Sequence, residues 1–136
     1  MKSANDMAVA VAEHVAGSEV KFAALMTQKA RQLGMPSTTF RNAHGLPDGA
    51  QITTARDMLT LAMRLHDDFP RRYHMFSQRA FSYRAVTHRN HNTMLGTYQG
   101  MDGLKTGYTG PSGFNLVASV RRDRRHVVAV VFGGSS

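Results

Sequence analysis

The chain has 136 residues, with 17 Lys and Arg against nine Asp and Glu, a formal net charge of +8. A chain of this length suits one domain with one core, able to bury about two thirds of its unfolded surface. Hydrophobic residues make up 42% of it without any run near the ~18 residues of a membrane-spanning helix, and the lack of cysteine excludes disulfides and thiolate metal sites while fitting cytosol and periplasm alike.

The pattern predicts helices first and a sheet afterwards. Ser3 is placed to cap a helix running to about Ala16, with Asp6 complementing the dipole and Gly17 ending it. MKSANDMAVAVAEHVAG is small and apolar nearly all round, which predicts a buried helix. Its polar interruptions, among them Glu13 and His14, argue against a signal peptide, so any export signal is expected outside this chain. Ser18 then caps a helix from Glu19 to Leu33, closed by Gly34 at the C′ position and by Pro36 beyond it. Residues 35–52, MPSTTFRNAHGLPDGAQI, read as an ordered irregular loop anchored by Phe40, Leu46 and Ile52, long enough to form one wall of a site.

Thr53 or Thr54 caps a third helix to about Asp67, with Met58, Leu61, Ala62 and Leu65 inward and Arg56 and Arg64 outward. Pro70 opens a short turn that includes Tyr73 and Phe76. AFSYRAV, 80–86, reads as one strand followed by the polar HRNHNTML. The last third gives FNLVASV and HVVAVVF, near-continuous apolar runs joined by RRDRR into a β-hairpin expected to be central in its sheet. RRDRR and Arg71-Arg72 read as solvated turns. No aromatic-interleaved basic stripe accompanies them, so nucleic acid is not an expected partner. The expected class is α+β, or mixed α/β, in a single domain over residues 1–136.

Chemistry concentrates at Lys105-Thr106-Gly107. Lysine supplies fixed positive charge and threonine a donor, Gly103 and Gly107 allow close backbone approach, and the N–H after Gly107 can face a developing oxyanion. Recognition of a substrate carboxylate beside a scissile carbonyl needs these groups. At the other end, Ser3 and Asn5 set a hydroxyl and an amide two apart at a helix start, where capping explains the serine and leaves the amide unexplained. Ser18-Glu19-Val20-Lys21 spells Ser-x-x-Lys, yet Ser18 follows Gly17 at a helix start and reads as an N-cap. His88 and His91 lack a carboxylate or third histidine at ligand spacing, so neither metal nor cofactor is expected. His44 reads as a packing residue of the long loop, and Asn90 and Asn92 as holding the segment that leads to Lys105.

With Ser3-Ala4-Asn5 and Lys105-Thr106-Gly107 in place, the sequence resembles the serine D-Ala-D-Ala carboxypeptidases. These are the low-molecular-mass penicillin-binding proteins, whose motifs are Ser-x-x-Lys, Ser-x-Asn and Lys-Thr-Gly. SANDMAVAVAEHVAGSE, LGMPSTTFRNAHGLPDG, TTARDM, FPRRYHMFSQRAFSY, NHNTMLG and GMDGLKTGYT are similar to that family in the same order, across essentially the whole chain. The family's nucleophilic serine and lysine lie well before Ser-x-Asn. The resemblance therefore implies the C-terminal part of a β-lactamase/transpeptidase-like catalytic domain, an antiparallel sheet flanked by a helical cluster, with the N-terminal part and its Ser-x-x-Lys missing.

The resemblance also implies roles. An activated serine would attack a terminal D-Ala-D-Ala carbonyl, release D-alanine and form an acyl-enzyme that water hydrolyses. Ser3 would relay a proton to the leaving amine, Lys105 would polarise that hydroxyl, and Asn5 would bond the substrate amide. Thr106 and Lys105 would hold the terminal carboxylate, and the Tyr108 N–H beyond Gly107 would be one of two oxyanion donors. Implied partners are peptidoglycan stem peptides and the β-lactams that mimic them, in the periplasm or cell envelope, with membrane anchoring left open. This chain alone is expected to be inactive and to self-associate through uncovered surface. Two departures stand out: Ser135 follows Gly133-Gly134 where some relatives carry a basic residue, and Tyr108 stands where histidine is also found. A non-catalytic cell-wall peptide-binding or regulatory module remains the alternative reading.

Overall fold

A computed structural model describes residues 3–135. The chain divides into two compact units, Ser3–Leu61 and the residues from Ala62 on.

The first unit begins with helix α1 (Asn5–Ala16) and helix α2 (Glu19–Gln32), which pack on each other. Gly17, at φ 77°, ends α1 and donates its N–H to Glu13 O at 2.7 Å. The N-cap of α1 is Ala4, which corrects the expectation that Ser3 caps it: Ser3 lies one residue outside and Asn5 is the first helical residue. Nor is α1 buried. Ala12 alone is fully covered, while Met7, Val11 and Val15 are 60, 53 and 60% exposed, with α2 the helix packed on α1. Beside α2, Val15, Phe22, Leu25, Met26, Leu33 and Phe40 contribute to an apolar hollow of about 390 Å³.

Helix α2 starts as expected. Ser18 is extended and its Oγ accepts from Lys21 N at 3.3 Å. It ends in a Schellman motif, with Met35 N on Ala30 O and Gly34 N on Arg31 O, and Gly34 takes the left-handed conformation at φ 84°.

The loop 35–52 is ordered, with Met35 buried and its remaining close contacts largely polar. Leu46 and Ile52 are 49 and 58% exposed, contrary to their expected anchoring role. Asp57, buried in the first turn of helix α3 (Ala55–Asp68), instead accepts from Ser37 N at 2.9 Å and from the fully buried Thr38 Oγ1 at 2.6 Å. Arg31 donates to the Met35 and Thr38 carbonyls, and Phe40 N donates to Thr27 Oγ1 at 2.9 Å. Glu19 Oε1 accepts from Ala43 N at 3.0 Å and lies 3.3 Å from His44 Nε2, while His44 Nδ1 accepts from Leu46 N. Several backbone groups that turn away from helix or sheet here meet side chains, which helps an irregular segment stay ordered. Thr54 caps α3, accepting from Asp57 N at 3.1 Å.

The second unit contains the C-terminal end of α3, helix α4 (Pro70–Tyr73), a 3-10 turn (His74–Ser77) and five strands. Pro70 sits in the first turn of α4, where its missing N–H costs nothing. Strands β3 (Met101–Thr109), β4 (Gly113–Arg122) and β5 (Arg125–Gly134) form an antiparallel sheet in the order β3-β4-β5. Ala62, Tyr73 and Leu104 form its core, with Leu65, Phe76, Val117 and Val128 against them.

Two expectations change. AFSYRAV is not one strand: β1 (Ala80–Tyr83) and β2 (Val86–Arg89) form a separate hairpin around Arg84-Ala85, both at positive φ. A turn of that shape normally carries Asn-Gly, so Arg-Ala gives no sequence signal for it. Of the final hairpin, β4 is central as expected, but among the described strands β5 lies at the edge, with Val127 and Val131 59 and 51% exposed. A near-continuous apolar run shows that both faces of a strand are apolar, and says nothing of its two edges.

Candidate active site

Lys105, Thr106, Gly107 and Tyr108 are consecutive on β3, opposite Val117, Leu116, Asn115 and Phe114 of β4. Among the described residues, β3 has a strand neighbour on one side only. Two contacts position it ahead of the lysine. Leu104 enters the core beside Tyr73, and the buried Asn92 donates from Nδ2 to Gly103 O at 3.2 Å. Asn92 Oδ1 accepts from Met94 N, and Asn90 bonds back to Gln78 O and Arg79 O, so the expectation that these asparagines hold the approach to Lys105 is met.

The glycines divide by role. A Cβ on Gly103 would come within 3.2 Å of Phe76 Cβ, so this glycine serves internal packing. A Cβ on Gly107 would meet nothing within 4 Å, and that position faces open space beside the lysine and threonine. Lys105 Nζ donates to the Thr106 carbonyl, and desolvation by the surrounding protein holds its ammonium below the usual lysine pKa. Tyr108 is 63% exposed and packs its ring on Phe114 at 4.7 Å.

Beyond the strand, Thr109 Oγ1 accepts from Ser112 N, Asn115 Nδ2 donates to Ser112 Oγ at 2.8 Å, and Asn115 Oδ1 accepts from Gly133 N at 3.3 Å. Asn115 thereby ties the β3–β4 turn to the end of β5. Sequence reading missed it, because an asparagine inside an apolar run carries no pattern of its own.

Ser3 and Asn5 lie in the other unit, Ser3 ahead of α1 and Asn5 in its first turn. With Ala4 as N-cap, capping no longer accounts for Ser3. Ser18 keeps its capping role, so Ser18-Glu19-Val20-Lys21 is a helix start.

A family model described as D-alanyl-D-alanine carboxypeptidase, peptidase S11, matches residues 1–136. The chain belongs to that family. It is 37% identical over 137 residues to the D-alanyl-D-alanine carboxypeptidase DacC of Escherichia coli K12, covering 100% of this chain and 34% of that protein. In structure it is similar to penicillin binding protein 5 of Haemophilus influenzae, with a TM-score of 0.90 and 35% identity, covering 96% of this chain and 39% of the other. It is also similar to penicillin-binding protein D2 of Listeria monocytogenes in its ampicillin-bound form, with a TM-score of 0.89 and 30% identity over 98% of this chain and 56% of that one. The fold is thus the α+β fold of the penicillin-binding proteins, and this carboxypeptidase-family chain spans about a third of the length of its curated relatives.

Proposed function

We propose that this chain is the part of a serine D-Ala-D-Ala carboxypeptidase that seats the free C-terminus of a peptidoglycan stem peptide, in the periplasm or cell envelope. The observation that carries the proposal is Lys105-Thr106-Gly107 on the one-sided strand β3, with open space over Gly107, in a chain of this family. An extended peptide laid along such a strand gains main-chain hydrogen bonds. Lys105 and Thr106 supply a cation and a hydroxyl for its carboxylate, and the Tyr108 N–H supplies an oxyanion donor. Ser3 relays the proton to the departing D-alanine, and Asn5 bonds the substrate amide. β-Lactams take the same seat. Both units belong, on this reading, to one transpeptidase-like domain.

The test is amide-resolved NMR of the chain titrated with an N-acylated peptide ending in D-Ala-D-Ala. Shift changes confined to 105–108 and to 3–5, and abolished when the terminal carboxylate is amidated, support the proposal; equal response to the amidated peptide overturns it. The one Ser-x-x-Lys string is the helix start at Ser18, so residues 1–136 alone are expected to release no D-alanine and to take no covalent penicillin label. Exposed Met7, Val11 and Val15 of α1 and Val127 and Val131 of β5 support self-association of the isolated chain, which light scattering reads directly.

A further inference from the structure

Away from Lys105, the opposite end of β3 holds a polar cluster that the proposed function does not use. Ser119 of β4 is fully buried, and three side chains converge on its hydroxyl. Tyr73 OH donates to Ser119 Oγ at 2.9 Å, and Ser119 Oγ donates to Asp102 Oδ1 at 2.6 Å. Arg121 Nε donates to the other oxygen of Asp102 at 2.6 Å. The third neighbour is His126 Nε2 of β5, at 2.8 Å.

A hydroxyl has one proton and two lone pairs. Ser119 has given its proton to a carboxylate and one lone pair to Tyr73, so it meets His126 only as an acceptor. The proton in that contact is on Nε2. The neutral Nε2–H tautomer therefore completes the hydroxyl's full complement of bonds, and no other neutral form of the ring does. Because Asp102 lies on β3, Ser119 on β4, His126 on β5 and Tyr73 on α4, this one oxygen ties together every strand of the sheet and the helix packed on it.

We propose that His126 is a proton-sensitive latch: as the neutral Nε2–H tautomer it fastens edge strand β5 to the Tyr73–Ser119–Asp102 chain, and a second proton, at Nδ1, leaves that donor in place but loosens the latch by setting a cation beside His66 and Arg121. The groups facing the ring come from every neighbouring element. α3 presents His66, with ring centroids 4.6 Å apart, and Asp67, whose carboxylate lies 2.9 Å from His66 Nδ1. α4 presents Tyr73, β3 presents Asp102, and β4 presents Arg121, the cross-strand partner of His126, whose guanidinium lies over the Tyr73 ring at 5.2 Å. A second proton on His126 puts a cation beside His66 and Arg121 in a half-buried place. Burial first, then His66, pull its pKa below the usual histidine value; Asp102 pulls it up, and Arg121 and Asp67 add weaker pulls down and up. The charged ring regains water by leaving the cluster, and an edge strand can let it go.

The sign follows from proton uptake. A histidine with its folded pKa lowered contributes stability that is complete above its unfolded value of about 6.5 and lost as pH falls below it, since the unfolded chain then binds the extra proton first. Asp102 precedes Lys105 by three positions on β3, so opening the latch loosens the base of that strand. The inference rests on the hub alone and stands or falls independently of the carboxypeptidase reading.

The full chain labelled with ¹⁵N tests it by long-range imidazole correlation spectra from pH 8 to 4.5. The expected result is a neutral Nε2–H His126 that titrates below exposed His14, with the Val127 and Val128 amides shifting on the same curve. An Nδ1–H tautomer, or titration together with or above His14, overturns the proposal. His126→Gln keeps a donor and cannot titrate. Its urea midpoint should match wild type at pH 7.5 and fall less than wild type by pH 5, whereas equal falls in the two proteins refute the latch.

Discussion

Asp57→Ala is the sharpest test of how the 35–52 loop is held. The carboxylate is 3% exposed and receives two bonds, from Ser37 N at 2.9 Å and Thr38 Oγ1 at 2.6 Å. A hydrogen bond to a charged group contributes about 1.5–3 kcal/mol. Two such bonds and the favourable place of an anion at the start of α3, worth roughly 0.3–1 kcal/mol, predict a loss of about 3–7 kcal/mol. Thr38 keeps its contact with Thr53 Oγ1 at 2.8 Å, which favours the lower part of that range. Leu46→Ala is the control: a side chain 49% exposed should cost no more than about 0.5 kcal/mol. Urea unfolding followed by circular dichroism gives both values, and amide exchange at Ser37 reports the local bond. A loss in Asp57→Ala no larger than that of Leu46→Ala, or an unchanged Ser37 exchange rate, would show that the loop is held by something other than the buried carboxylate.

Further outcomes are expected from single substitutions. Gly34→Ala should cost about 1–2 kcal/mol, because φ there is 84° and nothing lies within 4 Å of the added methyl, so the whole loss is backbone strain; Gly107→Ala, in open space at ordinary φ, should leave the urea midpoint unchanged while weakening peptide binding. Tyr73→Phe preserves the buried ring and strips one donor from Ser119, predicting a loss of about 1–2 kcal/mol in the same assay, where no measurable loss refutes the hydroxyl's role. Lys105, with its pKa lowered by desolvation, carries more free amine at pH 8 than an unperturbed lysine. It should acylate faster with an N-hydroxysuccinimide ester than Lys21, and mass spectrometry of the digested protein reads the ratio.

The parts of the fold visible in the sequence are those with local causes. Ser18 and Gly34 announce α2 because a cap and a left-handed residue answer to their nearest neighbours. The inward row Met58, Leu61, Ala62 and Leu65 follows from helical period alone. Lys105-Thr106-Gly107 was visible as chemistry and as family motif. What stayed hidden depends on distant partners. Asp102 and Ser119 are 17 positions apart and Tyr73 and Ser119 are 46 apart, so no window along the chain shows that they meet at one hydroxyl. The loop 35–52 misled for a related reason. Leu46 and Ile52 were visible candidates for anchors, whereas much of its order comes from Asp57 and Arg31, to which an apolar pattern gives no role. The exposed stripe of α1 reads as buried because apolar periodicity reports that a face is suited to cover, not that these residues supply the cover.

The β1–β2 hairpin has a practical consequence. Nearly all its side chains are exposed, it bends at two non-glycine residues of positive φ, and its named ties to neighbouring chain run through Asn90 to Gln78 and Arg79. A two-stranded ribbon on its own is only marginally stable in water. Trypsin offered the intact protein should therefore enter at Arg84 first, and the ribbon is the natural place to splice in an affinity tag, leaving the strands around Ser119 untouched.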